Sequence, residues 1–255
     1  MGIINSENLK AISKAFKKEF QDSYAKVEVN YPKVATEVKS NTISTDYTWL
    51  GDFPKMKEWI GDRAVQDLTA HKYTITKKRF ELTIGMDRDF IIYDNLGMVK
   101  PRIQQMAHDG RTHYDELIFP LLEENGTCYD GKAFFATDHK VGTKNVSNLG
   151  DLPLTQANFL STRASMMNQK GENGKKLGVK PNIIVVSPAL EAVALRLFKA
   201  DQIEGSTNIT KDMVEILVIA DLTDDKAWYL MDTSRPLKPL VLQINKLIEF
   251  TAMDK

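Results

Sequence analysis

The chain has 255 residues and carries 34 Lys and Arg against 34 Asp and Glu, so its formal net charge is zero. A chain of this length buries about three quarters of its unfolded surface and needs no metal or disulfide staple. Its one cysteine, Cys128, excludes an internal disulfide and a cysteine-rich zinc centre and fits a reducing origin. The even charge argues against a polybasic nucleic-acid binder, and no apolar run approaches the ~20 residues that span a bilayer.

Leu9, Ile12, Phe16, Phe20 and Tyr24 recur at spacings of three and four and predict an amphipathic helix over 6–24, with Ser6 as its cap. Lys10, Lys14, Lys17, Lys18 and Asp22 fall on the opposite face, the solvated cover of a packed stripe. Met1 to Ser6 also matches the myristoylation pattern, which a chance match explains. Residues 25–48 lack strong periodicity and carry Val27, Val29, Val34, Val38 and Ile43 in extended segments. Helix and extended stretch together, residues 1–48, have the form of a docking arm. Residues 49–71 hold Trp49 and Trp59 in a compact turn-helix unit.

Period two takes over in 72–95, where Tyr73 and Ile75, then Phe80, Leu82 and Ile84, alternate with polar residues. The reading is a long β-hairpin with Lys77, Lys78 and Arg79 at its tip. An isolated hairpin is marginal, so this one requires support from another surface. Ile103, Met106, Gly110, Tyr114, Leu117 and Leu121 predict the longest helix, 99–125, with Pro101 in its first turn, a kink at Pro120 and Gly126 as its stop. A loop-rich stretch follows to 153. The remainder alternates: a helix over 155–169 capped by Thr155, a buried strand over 182–187, a helix to about 200, and strands over 214–222, 228–232 and 237–244. The class is α+β.

Few residues are arranged for catalysis. Cys128, His139 and Asp138 are the strongest set, a thiol, a base and an orienting carboxylate, and would make a thiol-dependent hydrolase. A lone cysteine is more often a small buried hydrophobe. His108 and His113 stand about 140° apart around a helix, a poor spacing for a shared metal. The segment from Gly171 to Lys176 lacks the spacing and hydroxyl of a phosphate loop. No cofactor or metal is called for.

Five segments in register carry a resemblance. They are Trp49–Pro54, Glu58–Arg63, Lys78–Ile84, Cys128–Gly131 with Phe134, Phe135, Asp138 and His139, and Trp228–Leu240. Together they resemble the Mu-like prophage major head subunit (gpT-like) family, over about Ile3 to Phe250. The resemblance implies the tailed-phage major capsid fold. It implies an N-terminal arm (1–48), a joining turn-helix unit (49–71), an extended hairpin or E-loop (72–95), and a peripheral domain with a long spine helix (96–153). An axial domain (154–224) and a return to the peripheral sheet (225–255) complete the order. Family members continue with a further C-terminal segment.

The implied role is a structural one, not an enzyme's: the chain builds an icosahedral shell of hexamers and pentamers around phage DNA without reading its sequence. Scaffold or head-maturation proteins and a portal are the implied partners, and no membrane is involved. The implied place is the virion capsid, with synthesis in the bacterial host cytoplasm. Phe16, Phe20, Trp49, Trp59, Lys77, Lys78, Arg79 and Phe80 are the expected assembly contacts. A shell protein of a cargo-holding nanocompartment is the alternative of the same fold.

Overall fold

The computed structural model describes residues 6–50, 70–85, 96–171 and 174–251. In chain order the elements are α1 (Ser6–Tyr24), α2 (Tyr31–Val34), β1 (Ala35–Lys39), β2 (Ser44–Leu50), β3 (Ala70–Thr76), α3 (Leu96–Ile118) and α4 (Leu121–Glu124). Then come β4 (His139–Val141), β5 (Lys144–Val146), α5 (Gln156–Asn168), β6 (Ile183–Val186) and α6 (Glu191–Phe198). The last are β7 (Gln202–Ile203), β8 (Ser206–Thr207), β9 (Glu215–Val218), β10 (Trp228–Met231) and β11 (Leu240–Ile244).

The centre is a three-stranded mixed sheet in the order β10-β6-β9. β6 runs parallel to β9 and antiparallel to β10. All four of its residues are buried, because each face of the sheet is covered. Ile183 and Val185 join Tyr31, Ile118, Phe119 and Leu122 on one side. Ile184 and Val186 join Phe159, Ala194, Phe198 and Val214 on the other. Thr155 caps α5 as its type predicts, its hydroxyl accepting from the Asn158 N–H at 3.2 Å.

α3 has 23 residues, about 34 Å of helix. Pro101, expected in the first turn, lies inside the helix, which already begins at Leu96, and removes the bond its N–H would have given to Gly97 O. The helix expected over 99–125 is divided: α3 ends at Ile118, and α4 resumes at Leu121. Pro120 supplies no N–H and cannot continue the ladder. The stop is Asn125 in the left-handed region (φ 47), one residue ahead of the expected Gly126.

α1 lies along the first part of α3. Phe20, 5% exposed, meets Val99, Ile103 and Ala107, and Phe16 and Tyr24 flank it. The Phe20 and Phe250 rings are 5.5 Å apart. Beyond α1 the chain is anchored by Asp115 of α3, whose carboxylate accepts from Asn30 N–H at 2.9 Å and Tyr31 N–H at 2.7 Å. β1 then pairs in parallel with β11, Ala35 opposite Leu240 through Lys39 opposite Ile244.

The hairpin expected over 72–95 is corrected. β3 pairs antiparallel with β2, Ser44 opposite Thr76 and Leu50 opposite Ala70, so the ribbon runs upstream. Lys77 N–H donates to Ile43 O at 2.9 Å, which places Lys77, Lys78 and Arg79 at the ribbon's base and not at a tip. Residues 77–85 form no helix or strand. Alternation is present on both flanks of Tyr73 and Ile75, and alternation alone does not select the partner. The turn-helix reading over 51–69 and residues 86–95 lie outside the described residues.

Asp115→Ala leaves one buried backbone donor, Tyr31 N–H, and one partly buried donor, Asn30 N–H, without this partner. Urea denaturation should register a loss of roughly 2–3 kcal/mol, as for a lost charge-assisted pair, and an unchanged midpoint would refute the anchoring role.

Candidate functional site

Cys128, Asp138 and His139 lie in one loop, but the loop's geometry does not assemble them for catalysis. Asn125 clasps the loop at its start. Its Oδ1 accepts from Phe135 N–H at 2.7 Å, and its Nδ2 donates to Phe135 O at 3.1 Å. Gly131, at φ +78, allows the tight turn over 128–132 that an L side chain would strain. Phe135 then packs its ring 5.4 Å from that of Tyr229 on β10, fastening the loop to the sheet.

His139 is the loop's clamp. Its Nδ1 donates to Asp130 Oδ2 at 2.6 Å, and its Nε2 lies 3.1 Å from Phe134 O. The hydrogen bonds of the ring run to Asp130 and Phe134, and none runs to the Cys128 thiol. Asp138, the expected orienting carboxylate, pairs instead with Lys132 Nζ. The missed partner is Asp130. Its signal was the Asp130–Gly131 turn pair, whose Asp commonly bonds forward to its own backbone, as here to Lys132 N–H at 3.0 Å.

The titration shifts agree. Burial pushes the Cys128 thiol up, and the Asp130 carboxylate adds to that. A reactive thiolate requires the opposite. Burial also pushes Asp130 up, but the bonds from His139 and Lys132 N–H outweigh it and leave the carboxyl below its usual value. His113 is held by Glu116 at 3.1 Å, and His108 lies 3.6 Å from Asp109. Among the described residues no group of three or more His, Cys, Asp or Glu is placed to hold a metal, and no helix is long and apolar enough to cross a membrane.

The expected assembly residues separate into two groups. Phe20 is taken up by the chain's own α1–α3 seam, and Phe16 packs against the same cluster, so the arm's aromatic stripe closes on its own subunit. The stripe matches the face of α3 that carries Val99, Ile103 and Ala107, with Phe20 buried and Phe16 and Tyr24 partly buried against it. Lys77, Lys78, Arg79 and Phe80 are exposed. Phe80 is 57% exposed and touches the body through its ring, 4.6 Å from that of His113. Leu82 and Ile84 are 51% and 38% exposed. Phe80, Leu82 and Ile84 make an exposed apolar run in a segment without regular structure, a patch that a second chain can cover. Trp49 stands in β2 opposite His71. Trp59 lies outside the described residues.

The sequence matches the family described as Mu-like prophage major head subunit gpT over residues 9–152, 150–222 and 219–255. The chain is 42% identical over 141 residues to the major capsid protein of Escherichia phage Mu, covering 54% of this chain and 46% of that protein. It is 31% identical over 248 residues to the Mu-like prophage FluMu major head subunit of Haemophilus influenzae, covering 96% of this chain and 61% of that protein. The chain thus spans about half the length of these two relatives. It is also similar in structure to the solved procapsid of bacteriophage JBD30, with a TM-score of 0.76 at 30% identity, covering 86% of this chain and all of that one.

Two outcomes test the loop. Iodoacetamide should alkylate Cys128 at pH 7 severalfold more slowly than a free small-molecule thiol; faster alkylation would restore the nucleophile reading. Asp130, with its carboxyl lowered in the folded state, contributes stability above its unfolded value of about 3.9 that is lost as pH falls through the folded value. The wild-type chain should therefore lose more stability below about pH 4 than Asp130→Asn, as followed by thermal melting. Parallel pH profiles would refute this.

Proposed function

Because the chain belongs to the Mu-like prophage major head subunit gpT family, we propose that it is a major head subunit, self-assembling into the icosahedral shell that encloses phage DNA. Its α+β fold is that of phage capsid proteins. The observation that carries the reading is the fit to the procapsid subunit, which this chain covers over that subunit's whole length. The exposed Phe80, Leu82 and Ile84 support it, since exposed apolar residues gain most when another chain covers them. The His139 clamp supports a structural subunit over an enzyme, for it turns the loop's one base into a fastening.

In this reading α1 and the residues to 48 form the arm, and α3 is the spine helix of a peripheral domain over 96–153. Residues 154–224 are the axial domain, and 225–255 return to the peripheral sheet. The ribbon β2–β3, with the segment after it, takes the place of the E-loop. The further partners are scaffold or head-maturation proteins, a portal, and DNA held without sequence preference; the place of action is the virion, after synthesis in the host cytoplasm. A shell with near-zero net charge per subunit encloses DNA without gripping its phosphates.

Purified full-length chain should form closed shells, visible in negative-stain micrographs and as fast-sedimenting material. A chain that stays monomeric at high concentration would overturn the reading.

A further inference from the structure

The described surface carries a strong separation of charge. Lys10, Lys14 and Lys18 are exposed at positions i, i+4 and i+8 of α1, within an arc of about 80°. None of the three forms an ion pair among the described residues, and Lys17 flanks them. The acid of the same stretch, Glu19, is turned to α3, where Gln104 Nε2 donates to it at 2.8 Å and Lys100 Nζ lies 3.3 Å away. α1 advances along α3 in the same sense, since the Arg111 guanidinium then lies 5.2 Å from the Tyr24 ring. The lysines preceding Glu19 therefore lie toward the start of α3 and beyond it.

The opposite end of α3 is acidic. Glu116 stands in its last turns, and Glu123 follows on α4. Glu123 accepts from Thr223 N–H at 2.8 Å and Asp224 N–H at 2.9 Å, which draws the loop with Asp221, Asp224 and Asp225 to the helix end. Burial pushes the Asp221 carboxyl up, and the nearby Glu116 and Asp115 add to it. Lys226 is the one cation in residues 221–226.

From Lys100 to Glu116 the helix rises about 24 Å, close to three Debye lengths at physiological salt. Within one chain the two ends are too far apart to neutralise each other. We propose that the lysine face of α1 docks on the acidic shoulder at the end of α3 in a second copy of the chain. This contact rests on the self-assembling head reading and names one of its interfaces. The two faces differ, so the contact is head-to-tail, the kind that closes into rings. Exposed pairs add little affinity singly, so their role is register and encounter rate, with a strong dependence on salt.

The test reverses each face in the full chain and follows assembly by sedimentation and negative-stain microscopy across a sodium chloride series. One variant carries Lys10→Glu, Lys14→Glu and Lys18→Glu; a second carries Asp221→Lys, Asp224→Lys and Asp225→Lys; a third carries all six. Circular dichroism and melting confirm that each is folded. Each triple variant should need at least tenfold more protein to assemble than wild type, and the sixfold variant should return to within threefold of it. If both triple variants assemble like wild type, or the sixfold variant fails while folded, the contact is overturned and the head reading stands. If wild type itself does not assemble, the head reading fails and the contact falls with it.

Discussion

The structure depends on a strand with no solvent side. β6 is buried at all four positions, and its alternate residues feed two separate apolar clusters. Polarity cannot set the register of such a strand, because a one-residue slip only exchanges one core for the other. Asn182 supplies what polarity does not. Its N–H donates to Met231 O at 2.9 Å, its carbonyl accepts from Glu215 N–H at 2.8 Å, and its side-chain oxygen accepts from Thr233 N–H at 2.8 Å. One residue thus ties β6 to both neighbours, and the helical layers on either face inherit that alignment.

Stability declines outward from this strand. The α1–α3 seam is aromatic and buried. The ribbon's base, by contrast, is held by hydroxyls: Ser40, Thr42 and Thr45 lie within 2.8–3.0 Å of one another, and Asn245 Nδ2 donates to Thr42 O at 2.6 Å. Groups that exchange readily with water make a weak fastening. A head subunit requires this gradation, since a rigid body must carry edges that adapt when copies meet.

Much of this was legible in the sequence where periodicity is strong. The stripe from Leu9 to Tyr24 foretold α1 and its end at Tyr24, and the apolar run at 183–186 foretold the buried strand. Pro120 foretold the break after Ile118, because a missing N–H acts locally. Partnership was not legible. Tyr73 and Ile75 pair upstream with β2, and the residue that holds His139 is Asp130 and not the adjacent Asp138. Nothing in the sequence sets Asp115 apart from its polar neighbours, yet it holds the backbone of residues 30 and 31. Local pattern reports which face of an element is apolar, whereas which surface covers it depends on residues far along the chain.

The parallel pairing of β1 with β11 joins residues 35–39 to 240–244, some two hundred positions away. Loop closure over that distance is paid before any contact there rewards it, which places this pairing late in folding. The order of synthesis sharpens the delay. An amino-terminal segment made first has no strand to pair with until the last part of this sequence has emerged, whatever its neighbours have already formed. The ribbon springs from the end of that pair, so its seat on the body is set only once residues 240–244 have joined residues 35–39.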